Sequence, residues 1–104
     1  MALYGIYGSH TTEACPLNNS HNRKLVIEGG PQFKQLAEKA NVKVLGQYHS
    51  ALEHTFIWIL DAKDAQTVEA LMIQGGIHTF NKITIVPLIT FDNVIEKSKL
   101  IENS

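Results

Sequence analysis

The 104-residue chain has little cysteine, no strongly basic segment and no long apolar run. Its one cysteine, Cys15, cannot form an internal disulfide, so a reducing, cytoplasmic location is expected. Nine basic and ten acidic residues give a formal charge of −1, and no basic run exceeds Arg23-Lys24, which argues against nucleic-acid or membrane-surface partners. No segment approaches the ~20 apolar residues that span a bilayer, and the first residues lack the basic start of a signal peptide.

Nucleotide and flavin signatures are also absent from the sequence. Gly29-Gly30-Pro31 is typical of a helix start and Gly75-Gly76 of a helix end, and neither forms a phosphate-binding loop. What remains is an ordinary globular composition, 44% hydrophobic and 18% charged. It predicts a single domain over residues 1–104, large enough to bury a two-layer core.

Hydrophobic periodicity divides the chain into strands, helices and one long polar loop. The loop covers residues 10–30, and loops of such length inside a compact domain are more often functional than short ones. Pro31 opens the first helix, and Asp61 or Asp64 caps the second. The predicted strands cover 2–9, 42–49, 54–60 and 78–89, and the predicted helices cover about 31–41, 64–74 and 92–101.

This order of elements predicts an α+β, ferredoxin-like βαββαβ fold with a short C-terminal helix. Two right-handed crossovers give an antiparallel sheet of order 4-1-3-2, with both helices on one face. The other face is then left open.

Pairing the second and third strands across a four-residue loop puts His49 opposite His54. The residues alternating with His49 mix polar groups with large aromatics, whereas the opposite set is small and β-branched and suits packing beneath helices. The mixed set is therefore predicted to lie on the open face, where it lines a ligand cavity or forms a dimer core. Its predicted cavity-lining members are Leu45, Gln47, Phe56 and Trp58.

Several short segments add a resemblance to this pattern. His10-Thr11 ends the first strand and Cys15-Pro16 follows it, Gly46 lies in the second strand, and His54-Thr55 opens the third. With the element order, these segments resemble a small uncharacterised group of dimeric α/β-barrel proteins. The resemblance implies a homodimer in which two open sheet faces enclose a cavity. The wider group includes cofactor-independent monooxygenases, muconolactone isomerases and haem-degrading enzymes, but none of their catalytic motifs matches this chain, so it names no reaction.

The predicted topology brings the histidines to one end of the sheet. The first two strands end there and the last two begin there, so His10, His49, His54 and His78 meet at one edge, with Cys15 in the adjoining loop. Imidazole and thiolate are the ligands that zinc and copper prefer. The sequence therefore predicts a zinc or copper site formed by His10, Cys15 and His54, with His49 or His78 as a further ligand.

Two other functions stay open at this point. A metal-free enzyme would use His49 or His54 as a general base toward a small aromatic or carbonyl substrate stacked on Phe56 and Trp58. A structural or regulatory dimer would need no ligand. In that case the histidines are solvated strand ends, and Cys15 is a small buried side chain.

Overall fold

The computed structural model describes all 104 residues and confirms the α+β class with a four-stranded antiparallel sheet. The order across the sheet is β2-β3-β1-β4, which reads 4-1-3-2 from the opposite edge. The strands are β1 (Ala2–Ser9), β2 (Lys43–Ser50), β3 (Thr55–Ala62) and β4 (Lys82–Leu88). The helices are α1 (Ser20–Lys39), α2 (Ala65–Gln74) and α3 (Phe91–Glu102), and a 3-10 turn covers Ile77–Thr79.

Helices α1 and α2 cover the same face of the sheet, which we call the covered face. The even-numbered residues of β1 and β3 point toward these helices, since alternate residues of a strand share one face. Their contacts produce one continuous apolar core. It contains Tyr4, Ile6, Phe56, Leu60 and Ala62 from the sheet, Phe33, Ala37, Val68, Leu71 and Met72 from the helices, and Val42 before β2.

The prediction that Phe56 and Trp58 lie on the open face is wrong. Phe56 is only 5% exposed, and the ring centroid of Trp58 lies 5.0 Å from that of Phe33 on α1. Gly8 pairs with Phe56, and a Cβ built on Gly8 would overlap the Phe56 ring. The large rings of Phe33, Phe56 and Trp58 pack together beneath α1, where small β-branched residues would leave a larger void.

The open face instead carries Tyr48 and Ile57, which were predicted to lie beneath the helices, whereas Val42 and Val44 of the same set do pack with the core. Tyr7 and Ile57 pair across β1 and β3, and Tyr48 pairs with Ile57 across β2. These three side chains are 39%, 44% and 67% exposed, in the order Tyr7, Ile57, Tyr48. The open face is therefore apolar in part, but through other residues than those predicted.

Helix α1 begins eleven residues earlier than Pro31, so the predicted loop over residues 10–30 is too long. The side chain of Asn19 accepts a hydrogen bond from the backbone N–H of Asn22 at 3.0 Å and caps the helix at Ser20. Pro31 lies inside the helix rather than at its start. An interior proline removes one helical hydrogen bond, which is why the sequence favours a start there.

The connection between β2 and β3 also differs from the prediction. Ser50 pairs with Thr55, so His49 lies opposite Phe56 and not opposite His54. His54 belongs to the turn and has a φ of 54°. Histidine enters this left-handed region more readily than most residues, and a positive φ here closes the turn.

The C-terminal helix α3 contains no buried residue, so it does not pack back on the domain as its apolar positions suggest. None of the helices combines the length and the hydropathy that crossing a bilayer requires.

Candidate metal centre

A short hydrogen-bonded loop between β1 and α1 holds Cys15 in place. The backbone N–H of Cys15 donates to the carbonyl of Thr11 at 3.1 Å. The side chain of Asn22, in the first turn of α1, donates to the carbonyl of Ala14 at 2.8 Å, and Arg23 Nε donates to the carbonyl of Pro16 at 3.0 Å. The start of α1 therefore fixes the backbone on both sides of Cys15, whose side chain is fully buried.

His10 and His54 are held together by the backbone. The N–H of His10, just after β1, donates to the carbonyl of His54 at 3.0 Å, and the N–H of His54 donates to the carbonyl of Ser50 at 3.0 Å. The end of β1 and the β2–β3 turn thus place two imidazoles side by side, with ring centroids 5.8 Å apart.

The three predicted principal ligands meet at this point. One ligand atom from each of His10, Cys15 and His54 lies within 4.8 Å of the other two. Atoms that share a tetrahedral zinc ion are about 3.3–3.8 Å apart, given bonds of about 2.0–2.3 Å. A contraction of about 1 Å, within reach of side-chain rotation, would bring all three onto one ion.

The hydrogen bonding of His10 leaves one ring nitrogen free. Its Nδ1 lies 2.8 Å from Asn81 Oδ1, and Asn81 Nδ2 donates to the carbonyl of Ile77 at 2.9 Å. The second bond orients the amide so that its oxygen faces His10, and Nδ1 must then carry the proton. His10 Nε2 is left with its lone pair, buried and without a partner. Metal-binding histidines commonly have such an oxygen behind the ring.

His54 has a second buried nitrogen without a partner, Nδ1. A buried polar atom that makes no hydrogen bond costs about 1–3 kcal/mol, so two of them beside a buried cysteine need an explanation. A metal ion held by His10 Nε2, His54 Nδ1 and Cys15 Sγ would satisfy both nitrogens at once.

His49 lies beside this group. Its Nε2 is 4.0 Å from Cys15 Sγ, and its ring stacks on that of His10 at 5.3 Å with an interplanar angle of 10°. Burial, followed by the neighbouring charges of His10 and His54, lowers the pKa of His49. A neutral imidazole is the form that binds a metal, so His49 is suited to be a fourth ligand.

The remaining predicted site residues have different positions. His78 lies in the 3-10 turn, is exposed, and is not among the side chains that converge. Gln47, Phe56 and Trp58 line a cavity between α1 and the covered face. Leu45 is 54% exposed, lies at a bulge in β2, and does not line this cavity.

Asn81 is a candidate site residue that no pattern in the sequence indicates. It lies between the 3-10 turn and β4, 71 positions from His10 along the chain. Only the antiparallel pairing of β1 with β4, which sets Ser9 against Lys82, brings the two together.

No protein-family model matches this chain, and no curated protein matches it either. The support for a function comes from the geometry of the site.

Proposed function

We propose that this protein binds a transition-metal ion, zinc or copper, through His10, Cys15 and His54, with His49 as the fourth ligand. The observation that carries the proposal is the pair of buried, unpartnered imidazole nitrogens next to a buried thiol. Two or three imidazoles and one thiolate form a ligand set that zinc and copper both accept.

Elemental analysis of untagged protein tests this directly. We expect one zinc or copper ion per chain, and a Co²⁺-loaded sample should show the absorption of a thiolate bound to cobalt. Cys15→Ser should abolish that band, and His54→Ala should weaken metal affinity at least about 100-fold, because each removes a ligand. His78→Ala is the matched control, since it removes an exposed histidine outside the group, and it should change nothing. Substoichiometric metal, unchanged by Cys15→Ala combined with His54→Ala, would overturn the proposal.

Asn81 permits a sharper test of geometry. Asn81→Ala removes the oxygen that holds His10 Nδ1, so we expect metal affinity to fall about 10–100-fold although no ligand is lost. Asn81→Asp keeps an acceptor at the same place and should recover most of the affinity. Equal affinity in all three proteins would show that His10 does not bind the ion through Nε2. Circular dichroism would establish that each variant is folded.

We also propose that two copies pack through their open faces, as in dimeric α/β barrels. This face presents Tyr7, Tyr48 and Ile57 to solvent, and α3 is exposed along its whole length. Exposed apolar patches of this kind commonly mark interfaces, and a two-fold axis applies the same patch to both copies.

Sedimentation at micromolar concentration tests the dimer. The wild type should sediment at twice the monomer mass, and Ile57→Lys should shift it to the monomer because it places a charge in the apolar interface. Leu52→Lys, in the exposed β2–β3 turn, is the matched control and should leave the dimer intact. A monomeric wild type would rule out this assembly without affecting the metal proposal.

A further inference from the structure

A cavity of about 770 Å³ lies between α1 and the covered face of the sheet, next to the metal centre. Its volume falls within the range of about 300–1,000 Å³ that small-molecule sites occupy. Leu25, Val26 and Phe33 of α1 form one wall, and Phe56 and Trp58 of β3 form the other. We call it the helix–sheet cavity.

Three aromatic rings give the cavity its chemical character. Trp58 lies between Phe33 and Phe56, with ring centroids 5.0 Å and 4.7 Å away. All three residues contribute to the wall, but Phe33 and Phe56 are only 2% and 5% exposed, so the half-buried Trp58 offers a ligand the most accessible ring surface. Such rings stack on flat apolar molecules in offset or tilted geometries.

Charge is nearly absent from the wall. Glu28 is its only carboxylate, and no lysine or arginine lines it. The other titratable groups of the wall are the imidazoles of His10, His21 and His49. A carboxylate or phosphate entering the cavity would therefore lose its hydration without gaining a permanently charged lysine or arginine partner, which is costly. Neutral polar groups avoid this cost and still find polar partners, because Gln47 and His49 contribute an amide and an imidazole at the β2 side of the wall.

Two glycines inside α1 support a role for the open space. Gly29 and Gly30 both line the cavity, and a Cβ built on either would meet nothing within 4 Å. Each costs a helix about 1 kcal/mol relative to alanine. No packing contact in the fold requires them, so their effect is to leave the α1 wall thin beside the cavity.

We propose that the helix–sheet cavity binds an uncharged small molecule with an aromatic body and a carbonyl or hydroxyl group. The aromatic body lies against Trp58, and the polar group hydrogen-bonds to Gln47. This inference does not depend on the metal, because every feature that supports it belongs to the cavity wall.

Two probes of matched shape test the inference: 2-acetylnaphthalene, which is neutral, and 2-naphthoate, which is anionic. Binding is measured by calorimetry and by the indole N–H signal of Trp58, the only tryptophan in the chain, in protein kept metal-free with EDTA. We expect the ketone to shift the Trp58 signal and to bind at least about tenfold more tightly than the carboxylate. Equal affinities, or binding that leaves Trp58 unchanged, would overturn the proposal.

Variants separate this site from its alternatives. Gln47→Leu should weaken ketone binding about tenfold through loss of one hydrogen bond, and Gly29→Leu should weaken it by adding bulk to the α1 wall. Gln66→Leu, on the exposed side of α2 and outside the cavity, is the matched control. Affinity that falls as protein concentration rises would show that a second copy fills the cavity, and would overturn the proposal. Ketone binding in EDTA is independent of metal content, so the failure of either proposal leaves the other intact.

Discussion

The two faces of the sheet differ in what their aromatic side chains do. On the covered face, Phe56 and Trp58 pack beneath α1 and form part of the core and of the cavity wall. On the open face, Tyr7 and Tyr48 lie on the surface, with their rings over Gly5 and Gly46. Similar residues therefore contribute to stability on one face and are available for association on the other, because only one face has helices to bury them.

The largest difference in stability between the two faces should appear when an aromatic side chain on the covered side is truncated. Phe33→Ala removes a side chain that is 2% exposed and contacts Trp58, so we expect a loss of about 3–5 kcal/mol in the free energy of unfolding. Ile57→Ala on the open face should cost about 1 kcal/mol or less at concentrations where the protein is monomeric. Urea denaturation followed by circular dichroism measures both. Similar losses would show that the open face is also packed within one chain.

A smaller difference in stability is expected between alanine substitutions at two glycines, Gly8 and Gly46, where the new Cβ would meet an aromatic ring. Gly8→Ala would push against Phe56, which is 5% exposed and cannot move, so we expect a loss of about 1–3 kcal/mol. Gly46→Ala would meet the ring of Tyr48, which is 67% exposed and free to swing away. Its effect should be within about 0.5 kcal/mol. Thermal unfolding measures the loss of stability in each variant. Equal losses would mean that the Tyr48 ring is held in place.

The smallest expected change in stability comes from removing a helix cap, and it should differ between the packed helix α2 and the unpacked helix α3. Asp64 accepts hydrogen bonds from the side chain and backbone of Thr67, which lower the pKa of its carboxyl. Asp64→Ala should reduce the midpoint of thermal unfolding by a few degrees. Thr90→Ala, at the cap of the unpacked α3, should leave the midpoint unchanged and reduce only helix content.

The contribution of Asp64 should also depend on pH. Because the folded-state pKa is lowered, its stabilisation is present above the ordinary pKa of about 3.9 and is lost as pH falls through the lowered value. Wild type and Asp64→Ala should therefore converge in stability at low pH. A difference that persists there would assign the effect of the substitution to helix propensity rather than to the carboxylate.

Much of the candidate metal centre could be predicted from the sequence. His10, Cys15 and His54 flank strands whose ends are set by composition, and the sheet class then brings those ends together. The contact of Asn81 with His10 could not be predicted, because it depends on the pairing of β4 with β1. His49 was predicted at this edge, but its pairing with Phe56 rather than His54 depends on a register in which Ser50 pairs with Thr55.

The sequence by itself determined which segments are strands, that Asp61 or Asp64 caps α2, and that three side chains able to bind a metal follow or precede strands at one edge. Only the tertiary structure decided which face of the sheet is covered. Both faces of a strand show the same two-residue alternation, so the choice depends on which set of side chains fills the space under α1 and α2. The length of α1 depends on contacts near its start: Asn19 caps the helix and Asn22 bonds back to Ala14. The helix then continues through Gly29, Gly30 and Pro31, residues that locally favour an end, where its Phe33 and Ala37 are buried in the core.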